Sequence, residues 1–321
     1  MSNLPKSVHI YEQGPREGFQ FEKGPIPTAR KIELVDALSR TGLKQIQVCS
    51  FVPAKNVPGM ADADEVAAGF ARAPGVRYEA LSLNEKGLER AIMSGRFDTT
   101  GIISLTASEA FVKRNQKRTL QENYDAQHGM IEMYQRHNVP VDRGSIMAAF
   151  GCNFEGDITV NRVLDITRQI FDLAAEYGLT INTLNLSDTM AWATPLSIKR
   201  VIGAVRDKYP EQRLSLHLHD TRGMAVALAY AGLEMGVGVY DSCVAGLGGC
   251  PFAAHKGAAG NICTEDLVFM CEEMGIATGV DLDLLVEAAR LAEDIVGHPL
   301  PGAVKQGGTL RALREKVRAA A

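Results

Sequence analysis

Eight times along the chain, a short apolar run is followed by a longer amphipathic stretch, with only brief links between them. Strand-like runs fall at 7–13, 44–50, 76–83, 98–105, 144–151, 180–186, 214–219 and 239–246. Helix-like stretches follow at 27–42, 61–73, 84–95, between Ala107 and His137, at 157–178, 194–209 and 223–236, and after the Gly-rich segment beyond Gly246. Strands alternating with helices require a parallel sheet with crossover helices. Eight such units suit an α/β chain closed as a (β/α)8 TIM barrel. A doubly wound open sheet is the alternative, but no G-x-G-x-x-G follows the first strand. Residues 1–280 therefore read as the barrel, and 281–321 as a C-terminal helical extension.

Composition removes several classes of function. A net charge of −4, a pI near 6.0 and the lack of any basic run argue against nucleic acid. No stretch approaches the roughly 18 apolar residues that would span a bilayer. The opening "MSNLPKSVHIYEQ" has neither an apolar signal core nor an Arg-rich amphipathic helix. The six cysteines are scattered with no C-x-x-C pair, which excludes a disulfide scaffold and structural zinc. The expected setting is the reducing cytoplasm, without membrane or nucleic-acid partners.

In a barrel of this kind, reactive residues sit where strands end. The first strand ends in "EQGPREGFQ", which offers Arg16, Glu17 and Gln20. The second offers Gln47 and Ser50, and the sixth ends in "NLSDT" with Asp188 and Thr189. The seventh, "RLSLHLHD", alternates leucines with Ser215, His217 and His219, so the two imidazoles project from one face. The eighth leads into "GLGGCPFAAHKGAAGN", with Cys250 and Asn261. A carboxylate, two imidazoles and an amide oxygen make a mixed set suited to a divalent cation. Mg²⁺ or Mn²⁺ is expected first, and Zn²⁺ or Co²⁺ next.

The segments "EQGPREGFQFEK", "CSFVPAKNVPGMADADEV", "SDT", "HLHDTRG" and "CVAGLGGCPFAAHKGAAGNICTEDLV" resemble the 3-hydroxy-3-methylglutaryl-CoA lyase family, in register from about residue 8 to 280. The block "VAGLGGCPFA" is the most specific. The resemblance implies metal ligands at Glu17, His217, His219 and Asn261. It implies that Arg16 polarises a thioester carbonyl, that Cys250 transfers a proton from a mobile loop, and that Asp188 and Glu265 stand near the site. The base would be His217 or Asp188. The reaction implied is cleavage of a 3-hydroxy-3-substituted acyl-CoA to acetyl-CoA and a keto acid, by a homo-oligomer (dimer or tetramer).

Several positions depart from that pattern. Glu17 stands where the family has aspartate, moving the carboxylate by roughly 1 Å. Gln47 replaces a glutamate, Arg222 a tyrosine, and Trp192 falls among residues that are usually small. Trp192 and Arg222 are expected to meet the substrate, alongside Gln20, Gln47, Ser50 and Thr189. That decoration suggests an alternative substrate, citramalyl-CoA-like or longer-branched. Claisen-type synthesis, the reverse chemistry, is disfavoured by Cys250 in "GLGGCP". A barrel without activity, kept as a binding subunit, has only Glu17 and Gln47 in its support.

Overall fold

The computed structural model describes residues 4–22, 24–249 and 260–320. Eight strands form one sheet: β1 (His9–Glu12), β2 (Gln45–Ser50), β3 (Arg77–Leu81), β4 (Gly101–Thr106), β5 (Val141–Met147), β6 (Thr183–Asp188), β7 (Arg213–Leu218) and β8 (Val239–Ser242). Their order is β3-β2-β1-β8-β7-β6-β5-β4, and every paired neighbour is parallel. Helices follow each strand: α1 (Thr28–Ser39), α2 (Ala63–Gly69), α3 (Glu85–Met93), α4 (Glu109–Gln116), α5 (Leu120–Arg136), α6 (Val160–Glu176), α7 (Pro195–Lys208), α8 (Ala225–Glu234) and α9 (Thr264–Glu273). This is the (β/α)8 barrel.

The helices form for local reasons and then bury one stripe. In α6 the Thr159 side chain caps the first turn by accepting from the Arg162 amide. Val163, Ile166, Ile170 and Leu173 then repeat at helical spacing and are buried. A capping box of Thr119 and Glu122 starts α5.

Several strand limits differ from the sequence reading, those of β4 and β5 most clearly. Asp98 does not open β4. Its amide donates to the Tyr78 carbonyl at 2.7 Å and its carboxylate accepts from the Tyr78 amide at 2.9 Å. Strand β5 begins at Val141 rather than 144 and ends at Met147, where Ala148 takes a left-handed conformation (φ 53°). Residues 151–157 then fold into a small hairpin of Gly151–Cys152 against Gly156–Asp157.

Among the described residues no ladder joins β3 to β4, so the barrel wall has a seam there. An unpaired strand edge leaves backbone groups without partners. Here side chains supply them: Gln127 of α5 accepts from the Ser104 amide at 3.0 Å, and Asp98 serves Tyr78 on the other side.

Beyond the barrel come α10 (Leu282–Val296) and α11 (Leu310–Ala320). Asp281 caps α10, which buries Leu285, Ala288, Ala289 and Ala292 in the same apolar cluster as the barrel helices. In contrast, α11 leaves Val317 exposed and is tied down by ion pairs of Arg311 with Asp283 and Arg314 with Glu273.

Candidate metal centre and active site

The chain turns sharply after β1, and that turn sets the site. Glu12, fully buried, accepts from the Gly14 amide at 2.7 Å and the Val244 amide at 2.9 Å, and from the Thr264 hydroxyl at 2.5 Å. A Cβ on Gly14 would lie 2.6 Å from a Glu12 carboxylate oxygen, so only glycine fits. The wide helical turn Gly14–Gly18 then carries Arg16 and Glu17 over the mouth of the barrel.

His217 and His219 stand on one face of β7, with ring centroids 5.0 Å apart. Glu17 Oε1 lies 3.8 Å from His217 Nε2 and 3.6 Å from His219 Nε2. The three residues present ligand atoms all within 4.8 Å of one another, a group able to hold a metal ion.

What lies behind the two imidazoles supports that reading. His217 Nδ1 is 3.2 Å from Asp241 Oδ2, and His219 Nδ1 is 3.1 Å from the Asp188 carbonyl oxygen. A ring whose Nδ1–H is engaged in this way presents a bare Nε2, the form in which histidine binds metals. Asp241 is itself held by Arg143 (2.8 and 3.0 Å) and by the Asn185 amide at 3.2 Å.

Asn261 is the antiparallel bridge partner of His219. Its Nδ2 donates to Cys243 Sγ at 3.2 Å, while its buried Oδ1 has no partner. A buried amide oxygen left unpaired costs stability unless something binds it. The Glu17, His217 and His219 group, with Asn261 bridged to His219, fits a divalent cation.

Charge in the site is arranged accordingly. Burial pushes the Glu17 carboxyl up, but Arg16 and the imidazoles outweigh it and hold the group well below the usual carboxylate range. Asp188 is pushed up to about 6, chiefly by burial, with the Trp192 and Ala193 amides opposing. Arg16 is nearly buried, and its guanidinium donates to Gln47, to Gln13 at 3.1 Å and to Glu17 at 3.0 Å.

A cavity of about 460 Å³ opens at this point, lined by Arg16, Glu17, Gln20, Gln47, Thr189, His217 and His219. Several of the expected residues lie outside that lining, Asn261 among them. Ser50 is fully buried and lies outside that lining. Asp188 also lies outside it, holding the 191–193 turn through Oδ1. Trp192 and Arg222 are also outside it. The Trp192 indole N–H donates to Asn153 at 2.6 Å, and Arg222 donates to the Ala191 carbonyl at 2.8 Å. Cys250 lies outside the described residues.

Sequence reasoning missed Arg143, Asp241, Tyr11 and Glu79, all lining the cavity. Polar residues inside otherwise apolar strands were the available signal. Arg143 escaped because β5 was expected to start one residue after it.

The fold and site together define a barrel whose mouth gathers three potential metal ligands beside a fixed arginine. The family model described as HMGL-like matches residues 7–292, and the chain belongs to that family. It is 42% identical over 288 residues to the human mitochondrial hydroxymethylglutaryl-CoA lyase, covering 90% of this chain and 85% of the relative. The crystal structure of hydroxymethylglutaryl-CoA lyase from Pseudomonas aeruginosa matches with a TM-score of 0.86 and 40% identity, over 98% of this chain and 99% of that one. An HMG-CoA lyase from Acinetobacter baumannii, in complex with coenzyme A and 3-methylmalate, matches with a TM-score of 0.83 and 35% identity, over 95% and 96% of the two chains.

Proposed function

We propose that this chain is a divalent-metal-dependent carbon–carbon lyase that cleaves 3-hydroxy-3-methylglutaryl-CoA to acetyl-CoA and acetoacetate. The observation that carries the reading is the convergence of Glu17, His217, His219 and the unpaired Asn261 oxygen beside Arg16, in a chain about 40% identical to such lyases.

The reaction breaks the bond between a tertiary alcohol carbon and the carbon α to the thioester. A bound divalent cation, Mg²⁺ or Mn²⁺ first and Zn²⁺ or Co²⁺ next, would supply Lewis acidity and lower the pKa of the substrate hydroxyl. Glu17, His217, His219 and Asn261 would hold it. The hydroxyl proton must pass to a base: His217 can serve only if its Nε2 is not given to the metal, and Asp188, outside the cavity lining, only through an intervening group. As the bond breaks, the electrons move onto the thioester oxygen, where the Arg16 guanidinium offers fixed donors. Cys250 is proposed to return a proton to the carbanion. Gln20 and Thr189 line the space left for the acyl group.

The alternative of a differently branched substrate rested on Trp192 and Arg222, and loses that support with both outside the cavity lining. The synthase reading gains none. No helix among the described residues is long and apolar enough to cross a membrane. A cytoplasmic homo-oligomer, dimer or tetramer, completes the proposal. Metal-loaded protein should release acetyl-CoA and acetoacetate from 3-hydroxy-3-methylglutaryl-CoA faster than it cleaves other 3-hydroxyacyl-CoAs, and chelation should abolish the activity. Cleavage of a citramalyl-CoA analogue at a higher kcat/KM would refute this assignment.

A further inference from the structure

Behind Arg16, the cavity wall carries a one-way chain of hydrogen bonds. Arg16 Nε donates to Gln47 Oε1. Gln47 Nε2 donates to the Tyr11 hydroxyl at 2.8 Å, and that hydroxyl donates to Glu79 Oε2 at 2.7 Å. Glu79 Oε1 accepts from Gln45 at 2.8 Å and from Arg77 at 3.1 Å. Tyr11, Gln47 and Glu79 are all buried. The Arg143 guanidinium lies over the Tyr11 ring, 5.2 Å from its centroid.

Each link forces the next. A guanidinium has donors only, so the amide of Gln47 must turn its oxygen toward Arg16. Its nitrogen then faces Tyr11, whose oxygen accepts and whose proton has to go elsewhere. Glu79 takes that proton's hydrogen bond. Burial and the Glu79 carboxylate push the Tyr11 hydroxyl above its ordinary range, so it keeps the proton it donates. Remove the hydroxyl, and the buried Gln47 nitrogen loses its acceptor, so the side chain is free to swing out of line. Arg16 Nε would then lose the oxygen that aims the guanidinium.

We propose that Tyr11 and Glu79 are positioning residues: they anchor the Gln47 side chain from behind, and through it the guanidinium that the reaction uses. This rests on the lyase reading above. Neither residue touches the reacting atoms in this account.

A carboxylate at position 47 presents an acceptor at either end and needs no orienting partner, which gives a discriminating test. Steady-state kinetics with 3-hydroxy-3-methylglutaryl-CoA would compare the native protein, Tyr11→Phe, Gln47→Glu and the double variant. Tyr11→Phe should lose roughly 10- to 100-fold in kcat, with KM little changed, as for a misplaced catalytic group. In the Gln47→Glu background the same change should cost less than about threefold. Glu79→Ala should follow the same pattern. Equal losses in both backgrounds would overturn the proposal and leave Tyr11 a merely structural residue. The Arg16 Nε–Hε resonance gives a second readout by ¹⁵N NMR. It should move in Tyr11→Phe, and should be insensitive to that change in the Gln47→Glu background. If the native protein releases no acetyl-CoA, the lyase reading fails by itself. The resonance then decides, and an Arg16 signal unmoved by Tyr11→Phe would overturn the positioning role.

Discussion

Asn261 sits across an antiparallel bridge from His219, and its side-chain oxygen is buried without a partner. That pairing explains how a residue 42 positions further along the chain reaches the imidazoles (261 against 219). It also yields a prediction with an internal control. Asn261→Ala removes an orphaned oxygen, so the metal-free protein should lose little stability. Affinity for Mn²⁺, read by titration calorimetry, should fall by about tenfold or more, since a ligand is lost. Unchanged affinity would remove Asn261 from the metal set.

Asp241 serves two masters, the His217 Nδ1 and the half-buried Arg143 guanidinium. Asp241→Asn keeps an acceptor but removes the charge. Leaving that guanidinium uncompensated should cost about 1–3 kcal/mol in urea unfolding. Losing the carboxylate behind a metal-binding histidine should weaken metal binding by about 10- to 100-fold. Arg143→Leu in the same background should recover part of the stability but not the metal affinity. If it recovered both, the link between Asp241 and His217 would be incidental.

The barrel was legible because its signal is repetitive: eight strand-then-helix units leave few alternatives. The imidazole pair was legible because period-two alternation puts His217 and His219 on one face. For Trp192 and Arg222, proximity in sequence to "SDT" and "HDT" says nothing about side-chain direction. The 191–193 turn is pulled back by the Asp188 carboxylate, and Arg222 spends its donors on backbone carbonyls of the neighbouring loop. The Arg143–Asp241 pair and the Tyr11–Glu79 contact join strands far apart in sequence, and no local pattern announces such pairs.

Arg16 is held by three acceptors, Gln13, Glu17 and Gln47, so its fork is aimed before any substrate arrives. A lysine would keep the charge but not the directed donors. Arg16→Lys should therefore lower kcat by about 10²- to 10³-fold, the scale seen when an oxyanion donor is removed. Metal content, measured by inductively coupled plasma mass spectrometry, should stay at the native level. A turnover within a few-fold of native would show that charge alone suffices at this position.

Glu265 gives the fold a pH dependence whose sign follows from its surroundings. Its carboxyl is fully buried at the start of α9, with Oε2 accepting from the Ala245 amide at 2.9 Å and Oε1 unpartnered. Burial pushes its pKa up to about 8, with Asp266 and Glu12 adding to the rise and two backbone amides opposing it. The folded state therefore binds a proton more tightly than the unfolded chain does, whose carboxyl titrates near 4.5. Stability from this group is complete below about pH 4.5 and is lost as pH rises toward 8, at roughly 1.4 kcal/mol per pH unit within that window. Glu265→Gln keeps an acceptor for the Ala245 amide and cannot ionise. Its unfolding free energy, measured in urea at pH 5, 6, 7 and 8, should fall less steeply with pH than that of the native protein, and the variant should be the more stable of the two at pH 8. Glu12, pushed up to about 7 by burial, acts in the same direction in both proteins, so the variant keeps part of the pH dependence. Parallel pH profiles for the two proteins would show that Glu265 folds with its carboxyl already ionised.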